Sequence, residues 1–279
     1  MIIAILPNED KFDSITISKE IIKFLESHKV KVLSEKSKAA LLNIEAISEK
    51  NIQNIEYFIS LGGDGTILKN IHEYSYLNKP FLGINLGSLG FMTDIPLNDI
   101  YISLQDLLNK NFTIENRIML EVKSNSKLIA ANDIVFHRRE NPSLIDLSVY
   151  LNGKYLNTFS ADGLIIATPN GSTAYSLSSG GPILMPELDA FVLTAISPHT
   201  ISIRPIVIRS HVEIEIKYIS NNNNNISYFV DGMHQFSIKA KESVTLVKSK
   251  TILKLIKLKN HDYFSTLRTK LNWSGNLKI

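Results

Sequence analysis

The sequence predicts an α/β N-terminal domain with a parallel sheet, followed by a β-rich, mainly antiparallel C-terminal domain. Over residues 1–95, short apolar runs alternate with segments of helical periodicity. Strands that alternate with helices form parallel sheets through right-handed crossovers. Over residues 96–261, apolar and polar residues mostly alternate with a period of two, which is typical of half-buried antiparallel strands.

The elements of the first domain are indicated by compact apolar runs for strands and by apolar residues three to four positions apart for helices. In chain order they are a strand over Ile2–Leu6, a helix over Ser18–Ser27, a strand over Val30–Leu33, a helix over Ala39–Glu49, a strand over Ile55–Leu61, a helix from Thr66 and a strand over Phe81–Asn85. Ligands of such sheets bind beyond the carboxyl ends of the strands. Asp64 and Asn85 stand at two of these ends, so we expect both at the ligand-binding edge.

The second domain begins with one more predicted helix, over Leu97–Leu108, and continues with short strands. The clearest alternations cover Met119–Lys123, Leu147–Leu151 and Val212–Ile216. Asn152-Gly153 is the strongest hairpin signal of the chain, because both residues of a type I′ turn need positive φ. The five asparagines from Asn221 to Asn225 indicate an exposed loop.

Composition excludes several classes of function. The 279 residues are 44% apolar and 20% charged, which fits an ordinary globular protein with a substantial core. The net charge of +3 is mild, and no dense Lys/Arg block indicates nucleic-acid binding. With no cysteine there is no disulfide, thiolate nucleophile or Cys-ligated zinc. No signal peptide or apolar stretch long enough to span a membrane is found, so we expect a cytoplasmic protein without membrane contact.

A glycine-rich loop with an aspartate at its centre is the strongest chemical signal. It reads Gly62-Gly63-Asp64-Gly65-Thr66 and lies between a predicted strand and a predicted helix. Unpaired N–H groups and the helix dipole converge at such a helix start, and glycines allow an anion to approach the backbone. A plain tight turn is the alternative. The Lys-Ser/Thr pair of the classical P-loop is absent, so Asp64 must act differently from a P-loop residue.

Two further segments are candidate ligand walls. Gly83 to Phe91 is rich in glycine but lacks the dinucleotide-binding spacing, and a structural loop is an equal alternative. Asp162 to Ser176 leads from a strand through a Pro-Asn-Gly turn into small hydroxyl residues. It is either a loop with a helix cap or a pocket for a flat ring bearing a ribose. The seven scattered histidines show no metal-ligand spacing.

Together these motifs resemble the NAD kinases, which phosphorylate the 2′-hydroxyl of the adenosine ribose of NAD. The motifs follow the order of that family over nearly the whole chain. They are Gly62-Gly63-Asp64-Gly65-Thr66, Gly83-Ile84-Asn85 with Gly87, Leu89-Gly90-Phe91, Asn132-Asp133, Asp162-Gly163, Thr168-Pro169 with Gly171 to Tyr175, Arg204 to Val207, Asp231-Gly232 and the tail from Leu267 to Trp273. The glycine loop alone also resembles lipid kinases and phosphofructokinases, whereas Thr168 to Tyr175 is more specific.

The resemblance implies a role for each matching residue. Asp64 would be the base, and ATP with a divalent metal such as Mg²⁺, bound through the ATP phosphates, would be the phosphoryl donor; inorganic polyphosphate is the alternative donor. Asn132 and Asp133 would hold the nicotinamide-side ribose or its neighbours, and Asp162 would contact the nicotinamide portion. The remaining NAD- or ATP-binding residues would be Gly62, Gly63, Gly65, Thr66, Asn85 and Phe91, with Thr173, Ala174, Tyr175 and Ser178 lining the adenine and ribose pocket.

The resemblance also implies a homodimer or homotetramer and a tail, residues 262–279, that returns to the first domain. The chain departs from the family at Asp133, where a glutamate is usual; the acid is one methylene shorter. A lipid or sugar kinase and a non-catalytic dinucleotide sensor stay open as alternatives. The former should lack the pocket around Thr173 to Tyr175, and the latter would bind NAD without producing NADP.

Overall fold

The computed structural model describes residues 1–11, 13–220, 224–259 and 262–273. They form two compact units. The first comprises Met1–Asn116 with the chain from Lys254 onward, and the second comprises Arg117–Leu253.

Strands and helices alternate in the first part of the chain, and strands dominate the second. Among the described residues, the strands are β1 (Ile2–Pro7), β2 (Lys31–Ser34), β3 (Glu45–Ala46), β4 (Tyr57–Gly62), β5 (Phe81–Asn85), β6 (Phe112–Val122), β7 (Asn125–Ala130), β8 (Asp133–His137), β9 (Ile145–Leu151), β10 (Lys154–Ala161), β11 (Gly163–Ala167), β12 (Ala190–Ile196), β13 (Ile206–Arg209), β14 (Ile214–Ile219), β15 (Ile226–Val230), β16 (His234–Ile238) and β17 (Ser243–Leu258). The α-helices are α1 (Ser14–Ser27), α2 (Lys36–Leu42), α3 (Asp64–Tyr74), α4 (Ile100–Leu108), α5 (Tyr175–Ser178) and α6 (Tyr263–Lys270). None of these helices has the length and apolar content needed to cross a membrane.

The first unit contains the predicted parallel sheet, in the order β3-β2-β1-β4-β5. The last part of β17 adds a parallel neighbour to β5 through Leu255 and Phe81. The residues from Ile3 to Leu6 in β1 are fully buried, as expected for a parallel strand covered on both faces. In β4 and β5, Gly62 lies opposite Asn85, so the loops that follow the two strands start side by side.

The first unit extends further along the chain than the predicted boundary at residue 95. The helix expected over Leu97–Leu108 forms as a 3₁₀ turn, Leu97–Asp99, followed by α4. Ile100, Leu104 and Leu107 are buried in the core of the first unit. The helix therefore packs in the first unit, where its apolar face is buried.

Two predicted helices have different ends in the structure. The helix expected over Ala39–Glu49 ends at Leu42, because Asn43 adopts the left-handed conformation (φ 56°) that terminates helices. Beyond it, β3 pairs with β2. The helix expected from Thr66 begins two residues earlier, at Asp64, with Gly63 as its N-cap.

The C-terminal tail contributes α6 to the first unit as far as the structure describes it. The Asp262 carboxylate accepts hydrogen bonds from the backbone N–H groups of Phe264 (3.0 Å) and Ser265 (3.1 Å) and so caps this helix. Residues 274–279 of the predicted tail lie outside the described residues.

The second unit is mainly antiparallel, as predicted. One sheet has the order β13-β12-β11-β8-β15-β16, and in the other β9 pairs with β10 and β14, which pairs with the first part of β17. Asn152 (φ 48°) and Gly153 (φ 75°) form the predicted turn between β9 and β10. In the expected asparagine loop, residues 221–223 lie outside the described residues, and Asn224 and Asn225 have no regular structure.

Candidate active site

The glycine loop lies at the carboxyl end of β4 and at the start of α3. Asp64 is the first residue of the helix, and its side chain is partly exposed together with that of Thr66. Asn8, just beyond β1, donates a hydrogen bond from Nδ2 to the Thr66 hydroxyl at 3.0 Å. The first N–H groups of a helix have no partner within it, so the N-terminus of α3 presents donors beside the Asp64 carboxylate.

The Asp64 carboxylate is fixed by the loop that follows β5. Its Oδ2 accepts the N–H of Phe91 at 2.8 Å. Its Oδ1 accepts the N–H groups of Met92 and Thr93 and the Thr93 hydroxyl, each at 3.0 Å. Among the described residues, Oδ1 therefore takes three donors and Oδ2 one. A carboxylate oxygen has two lone pairs, so Oδ2 keeps an acceptor site for a further group.

At two of the nearby glycines an added Cβ would collide with a side chain, and at two others it would face open space. A Cβ at Gly90 would lie 2.1 Å from Asp64 Oδ1, and one at Gly62 would lie 2.3 Å from the Thr66 hydroxyl. A Cβ at Gly63 or Gly65 would meet no atom of the described residues within 4 Å. Gly63 and Gly65 thus leave room for a ligand beside the helix N-terminus. Gly90 was not among the predicted site residues, nor were Met92 and Thr93.

Asn85 is buried, and its amide is used within its own loop. Nδ2 donates to the carbonyl oxygens of Ser88 (2.7 Å) and Thr93 (3.2 Å) and to the Thr93 hydroxyl (3.0 Å). Oδ1 accepts the N–H of Gly87 at 2.5 Å. Asn85 therefore shapes the loop that holds Asp64. Phe91, on the same loop, is half-buried, and its ring centroid lies 6.2 Å from that of Tyr263 in α6.

The second unit has a cavity of about 340 Å³ that brings together four of the predicted site residues. Asn132, Asp133, Ala174 and Tyr175 line it. The lining is completed by residues that were not among the predicted site residues, namely Val135, His137, Phe229, Asp231 and Gly232. Mostly apolar walls with a few polar groups are typical of pockets for small organic ligands. Tyr175 is 44% exposed at this cavity, so its ring is accessible.

Asp231 holds the polar side of the cavity in place. Its carboxylate accepts the N–H groups of Ala131 (2.7 Å), Asn132 (2.8 Å) and Asp133 (2.9 Å). Asp231 and Gly232 have φ of 49° and 67° at the turn between β15 and β16, and an Asp-Gly pair is a turn signal readable in the sequence. Burial, with the Asp231 carboxylate as neighbour, raises the pKa of Asp133 to about 7.

Asn132 is held from a second side by the turn after β11. Asn170 Nδ2 donates to Asn132 Oδ1 at 2.5 Å, and the buried Arg117 guanidinium donates to Asn170 Oδ1. A Cβ at Gly171 would lie 2.1 Å from the carbonyl oxygen of Asn132. The Asn-Gly pair thus supports Asn132 directly, and nothing in the sequence pattern shows that Arg117 is part of this arrangement.

Three predicted site residues of the second unit are absent from the lining of this cavity. The Asp162 carboxylate pairs with Arg138, with 2.6 Å between Oδ1 and Nε. The Thr173 hydroxyl donates to the carbonyl oxygen of Asn170 at 3.2 Å, and Ser178 is exposed at the end of α5. Within the described part of the chain, no group of three or more His, Asp or Glu residues could hold a metal ion.

Both units match family models of known description. The ATP-NAD kinase N-terminal domain matches residues 3–112, and the ATP-NAD kinase C-terminal domain matches residues 131–258. A relative named NAD kinase, from Protochlamydia amoebophila, is 50% identical over 279 residues, covering 99% of this chain and 100% of the relative.

Two crystal structures resemble the fold over nearly the whole chain. An NAD kinase from Archaeoglobus fulgidus in complex with ATP has a TM-score of 0.79 and 25% identity, covering 99% of this chain and 100% of its own. Yeast NADH kinase complexed with NADH has a TM-score of 0.86 and 24% identity, covering 100% of this chain and 89% of its own. The yeast structure supports the fold alone at this level of identity.

Proposed function

This chain belongs to the ATP-NAD kinase family, and we propose that it transfers a phosphoryl group from ATP to the 2′-hydroxyl of the adenosine ribose of NAD, producing NADP. The observation that carries the proposal is the state of Asp64. Its carboxylate is fixed by four hydrogen bonds, and Oδ2 keeps an acceptor site beside the N-terminus of α3.

Asp64 acts as the base in this proposal. Phosphoryl transfer depends on in-line positioning and on charge neutralisation more than on covalent chemistry. The base must lie within hydrogen-bond reach of the attacking hydroxyl and accept its proton as the new P–O bond forms. A carboxylate that is already fixed loses little entropy when the hydroxyl arrives, which suits Asp64 for this role.

The glycine loop serves the donor. Gly63 and Gly65 have open space where a Cβ would be, so phosphate oxygens can approach the backbone N–H groups, and Gly62 and Thr66 complete the loop. A Mg²⁺ ion would be held through the ATP phosphates, whose oxygens are the kind of ligand it prefers. When bound, the ion neutralises charge on the transferring phosphoryl group.

The cavity of the second unit takes part of the dinucleotide. Asn132, Asp133 and Tyr175 supply hydrogen-bonding groups, and Phe229 and Val135 supply apolar contact surface. We assign Asn132 and Asp133 to a ribose, and Ala174 and Tyr175 to the adenine with its ribose. Phe91, Asp162, Thr173 and Ser178 keep their predicted contacts with NAD as part of this proposal; Asn85 supports the site through its loop.

Asp64→Asn tests the assignment. We expect NAD binding to be largely unchanged and turnover to fall at least ~100-fold, the usual scale for the loss of a general base. NADP is measured after incubation with NAD, ATP and Mg²⁺, and NAD binding is measured by calorimetry. Asp106→Asn, at a partly exposed aspartate of α4, is the matched control and should keep the activity of the unchanged protein. Near-normal turnover of the Asp64 variant would refute the role.

The same assay covers the remaining parts of the proposal. Replacing ATP by inorganic polyphosphate, NAD by NADH, or Mg²⁺ by chelator identifies the donor, the acceptor and the metal requirement.

We also propose a homodimer or homotetramer working in the cytoplasm. Light scattering of the purified protein measures its mass in solution, and a monomeric mass of 31.3 kDa would contradict the assembly.

A further inference from the structure

We propose that the Thr93 hydroxyl is a positioning group that makes Oδ2, and not Oδ1, the proton-accepting oxygen of Asp64. The proposal rests on the function proposed above and concerns the orientation of its base. Thr93 is fully buried in the first unit and reaches Asp64 from the loop after β5.

The direction of the hydrogen bonds around Thr93 is fixed by Asn85. The Asn85 Oδ1 accepts an N–H from Gly87, and Nδ2 faces the carbonyl oxygens of Ser88 and Thr93, so the amide has one orientation that satisfies all of them. Nδ2 can only donate, and the Thr93 hydroxyl at 3.0 Å must accept from it. The hydroxyl hydrogen is therefore available for Asp64 Oδ1, also at 3.0 Å.

This chain of bonds makes the two oxygens of Asp64 unequal. With the Thr93 hydroxyl, Oδ1 takes three donors, which stabilise negative charge on it and occupy its lone pairs. Among the residues that the structure describes, Oδ2 takes only the N–H of Phe91. In the reaction, the ribose O–H bond breaks and its proton binds Oδ2, while the hydroxyl oxygen forms a bond to the γ-phosphorus. The bond from that phosphorus to the β,γ-bridging oxygen breaks, and ADP leaves with the electron pair.

Two substitutions separate the hydroxyl of Thr93 from its shape. Thr93→Val keeps the volume and removes the hydroxyl, whereas the backbone bonds from Met92 and Thr93 to Oδ1 remain. Thr93→Ser keeps the hydroxyl and removes the methyl group. We expect Thr93→Val to lower kcat about 10-fold, the scale of one hydrogen bond to a charged group, with the KM for NAD within about 2-fold. Thr93→Ser should restore most of kcat.

Thr266→Val is the matched control. Thr266 is buried in the same unit, and its hydroxyl donates to the carbonyl oxygen of Asp262 at 3.5 Å, whereas the four hydrogen bonds to the Asp64 carboxylate come from Phe91, Met92 and Thr93. This control should keep kcat. The melting temperature of each variant is recorded, and Thr93→Ala replaces Thr93→Val in the comparison if the latter does not fold.

The double variant Asp64→Asn with Thr93→Val gives the decisive readout. If Thr93 acts through the carboxylate, removing its hydroxyl should not lower kcat further once Asp64 is an amide. An equal loss in both backgrounds, or a Thr93→Ser variant as slow as Thr93→Val, would overturn the inference. Those results differ from the failure of the proposed function, in which the unchanged protein makes no NADP and both proposals are refuted.

Discussion

Gly90→Ala tests directly whether the position of Asp64 controls the reaction. A Cβ at residue 90 would lie 2.1 Å from Asp64 Oδ1 and 2.5 Å from the Thr93 hydroxyl. Carbon and oxygen atoms that are not bonded to each other must lie more than about 3 Å apart. The carboxylate or the loop must therefore move by roughly 1 Å. A misplacement of about 1 Å is enough to cost about 100-fold in rate. We expect that loss in kcat for NADP formation.

The control lies three residues earlier in the same loop. Within the described part of the chain, a Cβ at Gly87 would have only Asn85 Oδ1 within 4 Å, at 3.9 Å, which is ordinary contact, and the φ of Gly87 is not positive. Gly87→Ala should therefore keep kcat within about 3-fold, since surface substitutions without such contacts have small effects. Both variants are compared by initial rates at saturating NAD and ATP and by thermal unfolding.

The melting temperature and kcat together distinguish a displaced base from a destabilised protein. If Gly90→Ala keeps its melting temperature near that of the unchanged protein while kcat falls, the loss arises at the site. A Gly90→Ala variant that turns over NAD at the normal rate would refute the reasoning, because the carboxylate would then tolerate a shift of roughly 1 Å.

Two further predictions concern stability. Asp133 has a pKa of about 7 in the folded state, raised from an ordinary 3.8. Between these two values the folded state keeps a proton that the unfolded chain releases. The contribution of Asp133 to folding stability is therefore full below pH 3.8 and is lost as the pH rises through 7. Asp133→Asn cannot ionise, and its melting temperature should fall less than that of the unchanged protein between pH 5 and pH 8; parallel curves would contradict the buried acid. Asp262→Ala removes the cap of α6 and should lower the unfolding free energy by about 1 kcal/mol in denaturant titrations, while Asp262→Asn, which can still cap, should lose much less.

The sequence predicts best what short-range pattern determines. The parallel strands β1 and β5 follow from compact apolar runs, and the β9–β10 hairpin follows from Asn152-Gly153, since few other residue pairs accept positive φ at both positions. The placement of Asp64 beside Asn85 also follows, because the carboxyl ends of neighbouring parallel strands share one edge of a sheet.

The sequence predicts poorly what backbone groups do at long range. Asp64 is held by N–H groups of residues 27 to 29 positions further along, and a backbone N–H leaves no mark on residue type. In the sequence, this arrangement is reflected only in Gly90, a glycine at a position without room for a Cβ. The unit in which α4 packs is hard to predict for a related reason, since its apolar face fits any core and only packing decides which one.

Asp64→Asn also changes the hydrogen bonds that hold the loop after β5. An asparagine at position 64 has one acceptor oxygen, which can still serve the three donors at Oδ1, but its NH₂ group then faces the N–H of Phe91. Two donors in contact should lower the stability of this variant. We therefore expect the melting temperature of Asp64→Asn to fall together with its turnover. Thr93→Val keeps the carboxylate and the bond from Phe91, so its smaller loss in kcat reports the orientation of the base alone.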